Sequence, residues 1–138
     1  MVIIEAAGGV LMGRRGIEPG HGLWCLPGGF VNDDEDPAES ARRECREEVG
    51  AEVEITRLLG LYHIRKTGAP SMIGIGYAAV LQPGEQPVAG EEMLEVAIFP
   101  RDQLPELAFP SHREAIADWL KGEDEGHLPG SGRIKSPQ

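Results

Sequence analysis

The chain has only two cysteines, no long apolar run and far fewer basic than acidic residues, and each shortage excludes something. Cys25 and Cys45 are too few and too widely spaced for a disulfide framework or a four-ligand zinc site, so both are expected as reduced, packed thiols. No apolar stretch approaches the length a bilayer demands, so the chain is expected to be soluble. The opening residues carry no basic leader followed by a small-residue cleavage site, so no signal peptide is expected and a cytoplasmic location is. With 13 Lys and Arg against 23 Asp and Glu, a formal net charge of −10, the chain lacks the clustered cations that neutralise a nucleic-acid backbone. Neither nucleic acid nor a membrane is an expected partner. Surplus acid suits divalent cations, although many proteins are acidic simply to stay in solution.

What is present is ordinary for a globular chain: 41% hydrophobic and 26% charged residues over a length of 138, the size of one domain. The segments VIIEA and GVLMGRR read as two strands around a turn at Ala7-Gly8-Gly9, followed by a Gly/Pro-rich loop with a short strand near Leu23 to Leu26. Asp36 as an N-cap, Pro37 at the first helical position and Glu39 behind it mark a helix start. That helix is expected to end at Val49, with Gly50 as its stop. Two apolar, β-branched strands follow in EVEITRLLGLYHI and MIGIGYAAVL, then the polar loop QPGEQPVAGEE and a short strand near LEVAIF. A second helix is expected from Ser111, opened by a capping box with Glu114 and carrying Ala115, Ile116, Trp119 and Leu120 on one stripe. Residues 1–121 form the expected domain; 122–138, aperiodic and dense in Gly, Pro and charge, form an expected flexible tail. Mixed strands with two long helices imply an α/β sandwich.

The first helix carries the chemistry. Glu44, Glu47 and Glu48, at spacings of three and four, share about 100° of arc, and a stripe of Ala38, Ala41, Cys45 and Val49 lies close beside them. Crowding like charges at the border of the buried side costs a few tenths of a kcal/mol per pair and has no structural return. A divalent cation would offset that cost, since Mg²⁺ takes a few carboxylates together with the phosphate oxygens of a substrate. A solvated face partly neutralised by Arg42, Arg43 and Arg46 would show the same spacing.

The longer pattern separates the two. GFVNDDEDPAESARRECREEVGA, from Gly29 to Ala51, places Gly29, Glu35, Arg43, Glu44, Glu47, Glu48 and Gly50 at every fixed position of the Nudix box, with Cys45 and Ala51 in its apolar slots. The chain therefore resembles the Nudix hydrolases, and LWCLPGGFV and ELAFPSHREAI also look like members that handle nucleotide sugars and related diphosphates. The resemblance implies a Nudix α/β/α sandwich with a mixed β-sheet and the box as loop, helix and loop. It implies a pyrophosphohydrolase that uses Mg²⁺, with Mn²⁺ as a substitute, to cut a nucleoside diphosphate linked to another moiety, ADP-ribose or a nucleotide sugar. Glu44, Glu47, Glu48 and the Gly28 carbonyl would be metal ligands, with Glu47, Glu48 and Arg43 among the catalytic set. Glu35 would support Arg43, Gly29 would permit a tight loop, and Gly50 would end the helix.

The proton acceptor is not assigned by the box. The loop GEQPVAGEEMLEV offers Glu92 as first choice, then Glu95 and Glu91, with a box glutamate as the alternative. Arg14, Arg15 and His63 are candidates for substrate contact; Trp24 reads as a packing anchor and His112 as a neutral or capping residue. The Ser-Gln-Pro-Trp-Pro-Phe-Pro run of NADH pyrophosphatases is absent, and Lys66 stands near where many ADP-ribose hydrolases carry proline. A nucleoside triphosphate substrate and a non-catalytic nucleotide sensor remain as alternatives, and the resemblance leaves room for a homodimer.

Overall fold

The computed structural model describes residues 1–124. Six strands, β1 (Val2–Ala6), β2 (Gly9–Arg15), β3 (Trp24–Cys25), β4 (Val53–Ile64), β5 (Met72–Leu81) and β6 (Met93–Pro100), form one mixed sheet with two helices, α1 (Pro37–Val49) and α2 (Pro110–Asp124). β1 pairs antiparallel with β2 and parallel with β5, with Ile4 opposite Leu11 on one side and Ala79 on the other. β2 gives one edge to β1 and then β3, and its whole other edge to β6, where Val10 faces Phe99 and Gly13 faces Val96. β4 and β5 form a long antiparallel hairpin.

Alternation along the central strands creates two cores. Ile3, Val10 and Met12 pack with Ala115, Ile116 and Trp119 of α2. Val2, Ile4 and Leu11, one residue out of step, pack with Ala41, Cys45 and Val49 of α1. The helices thus cover opposite faces, which is the expected α/β/α sandwich, and burial pushes the Cys45 thiol up to about 12, a reduced, packed thiol as expected.

α1 begins and ends where its caps dictate. The Asp36 side chain accepts from the Glu39 N–H at 2.9 Å, Pro37 opens the first turn, and Gly50 adopts the left-handed conformation at φ 62°. α2 differs from expectation at its start: Pro110 opens it, so Ser111 lies inside the first turn instead of capping it. The amides of His112 and Arg113 both bond the Phe109 carbonyl, so the helix is already under way where the capping box would have begun it. α2 also runs to Asp124, past the expected boundary at 121; the rest of the expected tail lies outside the described residues. No helix among the described residues is long and apolar enough to cross a membrane.

Candidate active site

A cleft of about 1120 Å³ opens between the loop before α1, the Glu44 and Glu48 side of α1, the β4–β5 hairpin and the start of α2. Its acidic wall is built around one side chain. The Arg43 guanidinium donates to Glu35 at 2.7 Å, to Glu44 at 3.0 Å, to Glu47 at 2.9 Å and to the Phe30 carbonyl at 3.0 Å. A planar fork can hold several acceptors at fixed angles, which a lysine cannot. Arg43, followed by the Asn32 N–H, holds the Glu35 carboxyl down to about 2, so Glu35 stays ionised as the anchor of the set.

Glu48 is held differently. Its Oε2 accepts from the Gly28 N–H at 3.0 Å, while burial and then a hydrogen bond with the Glu44 carboxyl push its pKa well above the usual range. Two partly buried carboxyls sharing a proton is the state expected when neighbouring negative charges lack a counter-ion. Gly29 explains the closeness of the loop: a Cβ there would run into the Glu44 carboxylate. Hard oxygen donors, crowded and partly desolvated beside a glycine cradle, fit a divalent cation. In the arrangement described, Arg43 occupies Glu44 and Glu47, and no three acidic, His or Cys side chains among the described residues converge on one point.

The candidate residues separate into those the fold gathers and those it does not. Gly28, Gly29, Glu44, Glu48, Arg15 and His63 line the cleft, whereas Glu47 is on the exposed side of α1, its side chain 56% accessible. Arg14 does not line the cleft; it bonds the Gly22 carbonyl and pairs with Glu95 at 3.1 Å. Glu92 is exposed and outside the cleft, with its backbone carbonyl accepting from the Gly16 N–H at 2.8 Å. The loop before it is drawn to α1 instead, where the Gly90 N–H bonds the Glu48 carbonyl and the Val88 N–H bonds that of Val49. Trp24 packs edge-on against Phe99 with ring centres 4.7 Å apart, a packing anchor as expected.

Two contributors were not foreseen. Ser40, on the buried side of α1, donates to the Phe30 carbonyl at 3.3 Å and accepts from Arg43 at 3.4 Å. The Phe30 carbonyl itself is a backbone group and has no signature in a sequence. Ser40 could have been noticed as a small polar residue next to the apolar stripe, one turn before Glu44.

With this geometry in view, the comparisons with known proteins agree with one another. The NUDIX domain model matches residues 1–120. An ADP-ribose pyrophosphatase of Methanocaldococcus jannaschii is 33% identical over 120 residues, covering 86% of this chain and 70% of the relative. A putative ADP-ribose pyrophosphatase of Bacillus subtilis is 34% identical over 111 residues, and the match spans 75% of this chain but only 53% of that protein. The crystal structure of a NUDIX hydrolase from Nitrosomonas europaea superposes with a TM-score of 0.85 at 28% identity, covering 99% of this chain and 76% of the other.

Proposed function

This chain belongs to the Nudix family and is a Nudix hydrolase, and from that premise we propose that it hydrolyses a nucleoside diphosphate linked to another moiety, ADP-ribose or a nucleotide sugar, using Mg²⁺ with Mn²⁺ as a substitute. The observation that carries the reading is the pairing of Glu44 and Glu48 on the wall of an open cleft, braced by Arg43 and by the Gly28 N–H. The two relatives named for ADP-ribose favour that substrate over a triphosphate.

Glu44, Glu47, Glu48 and the Gly28 carbonyl would hold the cation. When bound, it would polarise phosphate oxygens and lower the pKa of a water. The chain's own residues do the rest. Arg43, fixed by Glu35, orients Glu44 and Glu47, so their geometry is set before substrate arrives. For the proton acceptor, a box glutamate is favoured over Glu92, because Glu92 is outside the cleft and would have to move to reach it. The products would be a nucleoside monophosphate and a phosphorylated remainder.

A hydrolysis screen with Mg²⁺ across ADP-ribose, nucleotide sugars, dinucleotides and triphosphates tests this. Turnover of ADP-ribose or a nucleotide sugar ahead of triphosphates is expected. Turnover of triphosphates alone would replace the substrate class, and binding without turnover of any compound would make the protein a sensor.

A further inference from the structure

The first turn of α2 also lines the cleft, through Ser111 and His112, which are 7% and 9% exposed. The Leu26 N–H donates to His112 Nδ1 at 3.1 Å, so that nitrogen carries a lone pair and the proton of the neutral ring sits on Nε2. Burial keeps the ring neutral, holding its pKa down to about 3. Neither His112 Nε2–H nor the Ser111 hydroxyl meets a protein partner among the described residues. Neither atom is closed off, so both donors are open to the cleft.

A cation stands beside them. Arg15 lines the same cleft with its guanidinium 4.8 Å from the centre of Phe109, and the Phe109 ring packs edge-on against His112 at 5.0 Å. The Pro19 carbonyl takes Arg15 Nε and Cys25 Sγ takes Nη1, while Nη2 meets no protein partner among the described residues. α2 is 15 residues long with no acidic residue in its first turn, so the positive end of its dipole is uncompensated there; Glu114 comes only in the next turn.

We propose that Ser111 Oγ–H, His112 Nε2–H and the Arg15 guanidinium form an anion subsite at the start of α2 that takes a non-bridging phosphate oxygen of the substrate, apart from the α1 carboxylates. Two N–H donors, one of them on a cation, and a hydroxyl free to turn its proton outward suit a group that offers only acceptors. Phosphate does, whereas a nucleobase edge mixes donors with acceptors. The inference rests on the reading of the substrate as a diphosphate.

Methylenediphosphonate, which cannot be hydrolysed, is the probe, titrated with Mg²⁺ into the full chain by calorimetry. His112→Asn can keep an acceptor for the Leu26 N–H but lacks the outer donor. It should melt near wild type yet bind about 10-fold more weakly. His112→Gln places a donor near the Nε2 position but loses the inner acceptor, so it should melt lower and retain most of the affinity. The Nε2–H resonance of His112 should move on titration. Wild-type affinity in both His112→Asn and Ser111→Ala, no binding by the wild type, or a resonance moved by adenosine but not by the diphosphonate would each overturn the subsite. Diphosphonate binding that needs Ser111 and His112, in a protein that hydrolyses no nucleotide, would instead uphold the subsite and overturn the pyrophosphohydrolase reading.

Discussion

Glu48 and Gly28 are joined by a 3.0 Å hydrogen bond in which the backbone donates to the carboxylate, so the loop that opens the box is pinned to the last turn of the helix that closes it. A glutamine at position 48 keeps an oxygen for Gly28 and gains an amide for Glu44. Without metal, Glu48→Gln should therefore melt close to wild type, since the proton shared with Glu44 already leaves the Glu48 carboxyl neutral. With metal, kcat should fall by at least about 100-fold. Turnover near wild type would remove Glu48 from the metal set; a collapse of the metal-free protein would give it a structural role.

Metal identity is tested on the intact protein. Activity should require Mg²⁺ or Mn²⁺ and vanish in excess chelator, with Ca²⁺ binding but supporting little turnover because its longer bonds and looser geometry misplace the water. Full activity in chelator would refute the cation site.

Arg43→Lys keeps the charge and loses the fork that joins Glu35, Glu44 and Glu47. The Mg²⁺ concentration for half-maximal activity should rise by about 10- to 100-fold, the usual cost of losing a residue that orients metal ligands. An unchanged Mg²⁺ titration would show that the glutamates hold their positions unaided.

Glu92→Gln should stay within a few-fold of wild type in kcat, because the carboxylate is exposed and outside the cleft. A loss of about 100-fold at unchanged KM would mean that the loop swings in and that Glu92 is the base.

His112 gives a pH signature. Its folded pKa is about 3 against an ordinary 6.5, so as pH falls through 6.5 the unfolded chain binds a proton that the folded chain refuses. The stability it contributes is complete above about 6.5 and is lost towards 3, by up to about 1.4 kcal/mol per pH unit. Wild type and His112→Asn, which should melt together at pH 7, should thus part towards pH 4, with wild type melting lower. Equal Tm values at both pH values would show that the ring protonates without unfolding.

Much of this was legible because the signals are local. Asp36, Pro37 and Gly50 bound α1 through contacts within a few residues, and the one-residue offset between Ile3 and Ile4 assigns each to a face. What could not be read depends on distant backbone. Ser111 and Glu114 have the spacing of a capping box, but the helix starts earlier, at Pro110, with the Phe109 carbonyl taking the amides of His112 and Arg113. Arg14 pairs with Glu95 on the adjacent strand, a partner 81 residues away that no local pattern marks. Glu92 lies where Gly16 and the end of α1 hold its loop, and none of those bonds has a pattern in sequence.

The same loop bears on how far the box is a transplantable cassette. The last two carbonyls of α1 receive their donors from Val88 and Gly90, and a Cβ on Gly50 would come within 2.6 Å of the Val88 carbonyl. Residues 28–51 grafted onto a foreign sheet would arrive with the end of α1 unsupported. Chimeras between this chain and its relatives should therefore exchange the box and residues 85–92 together.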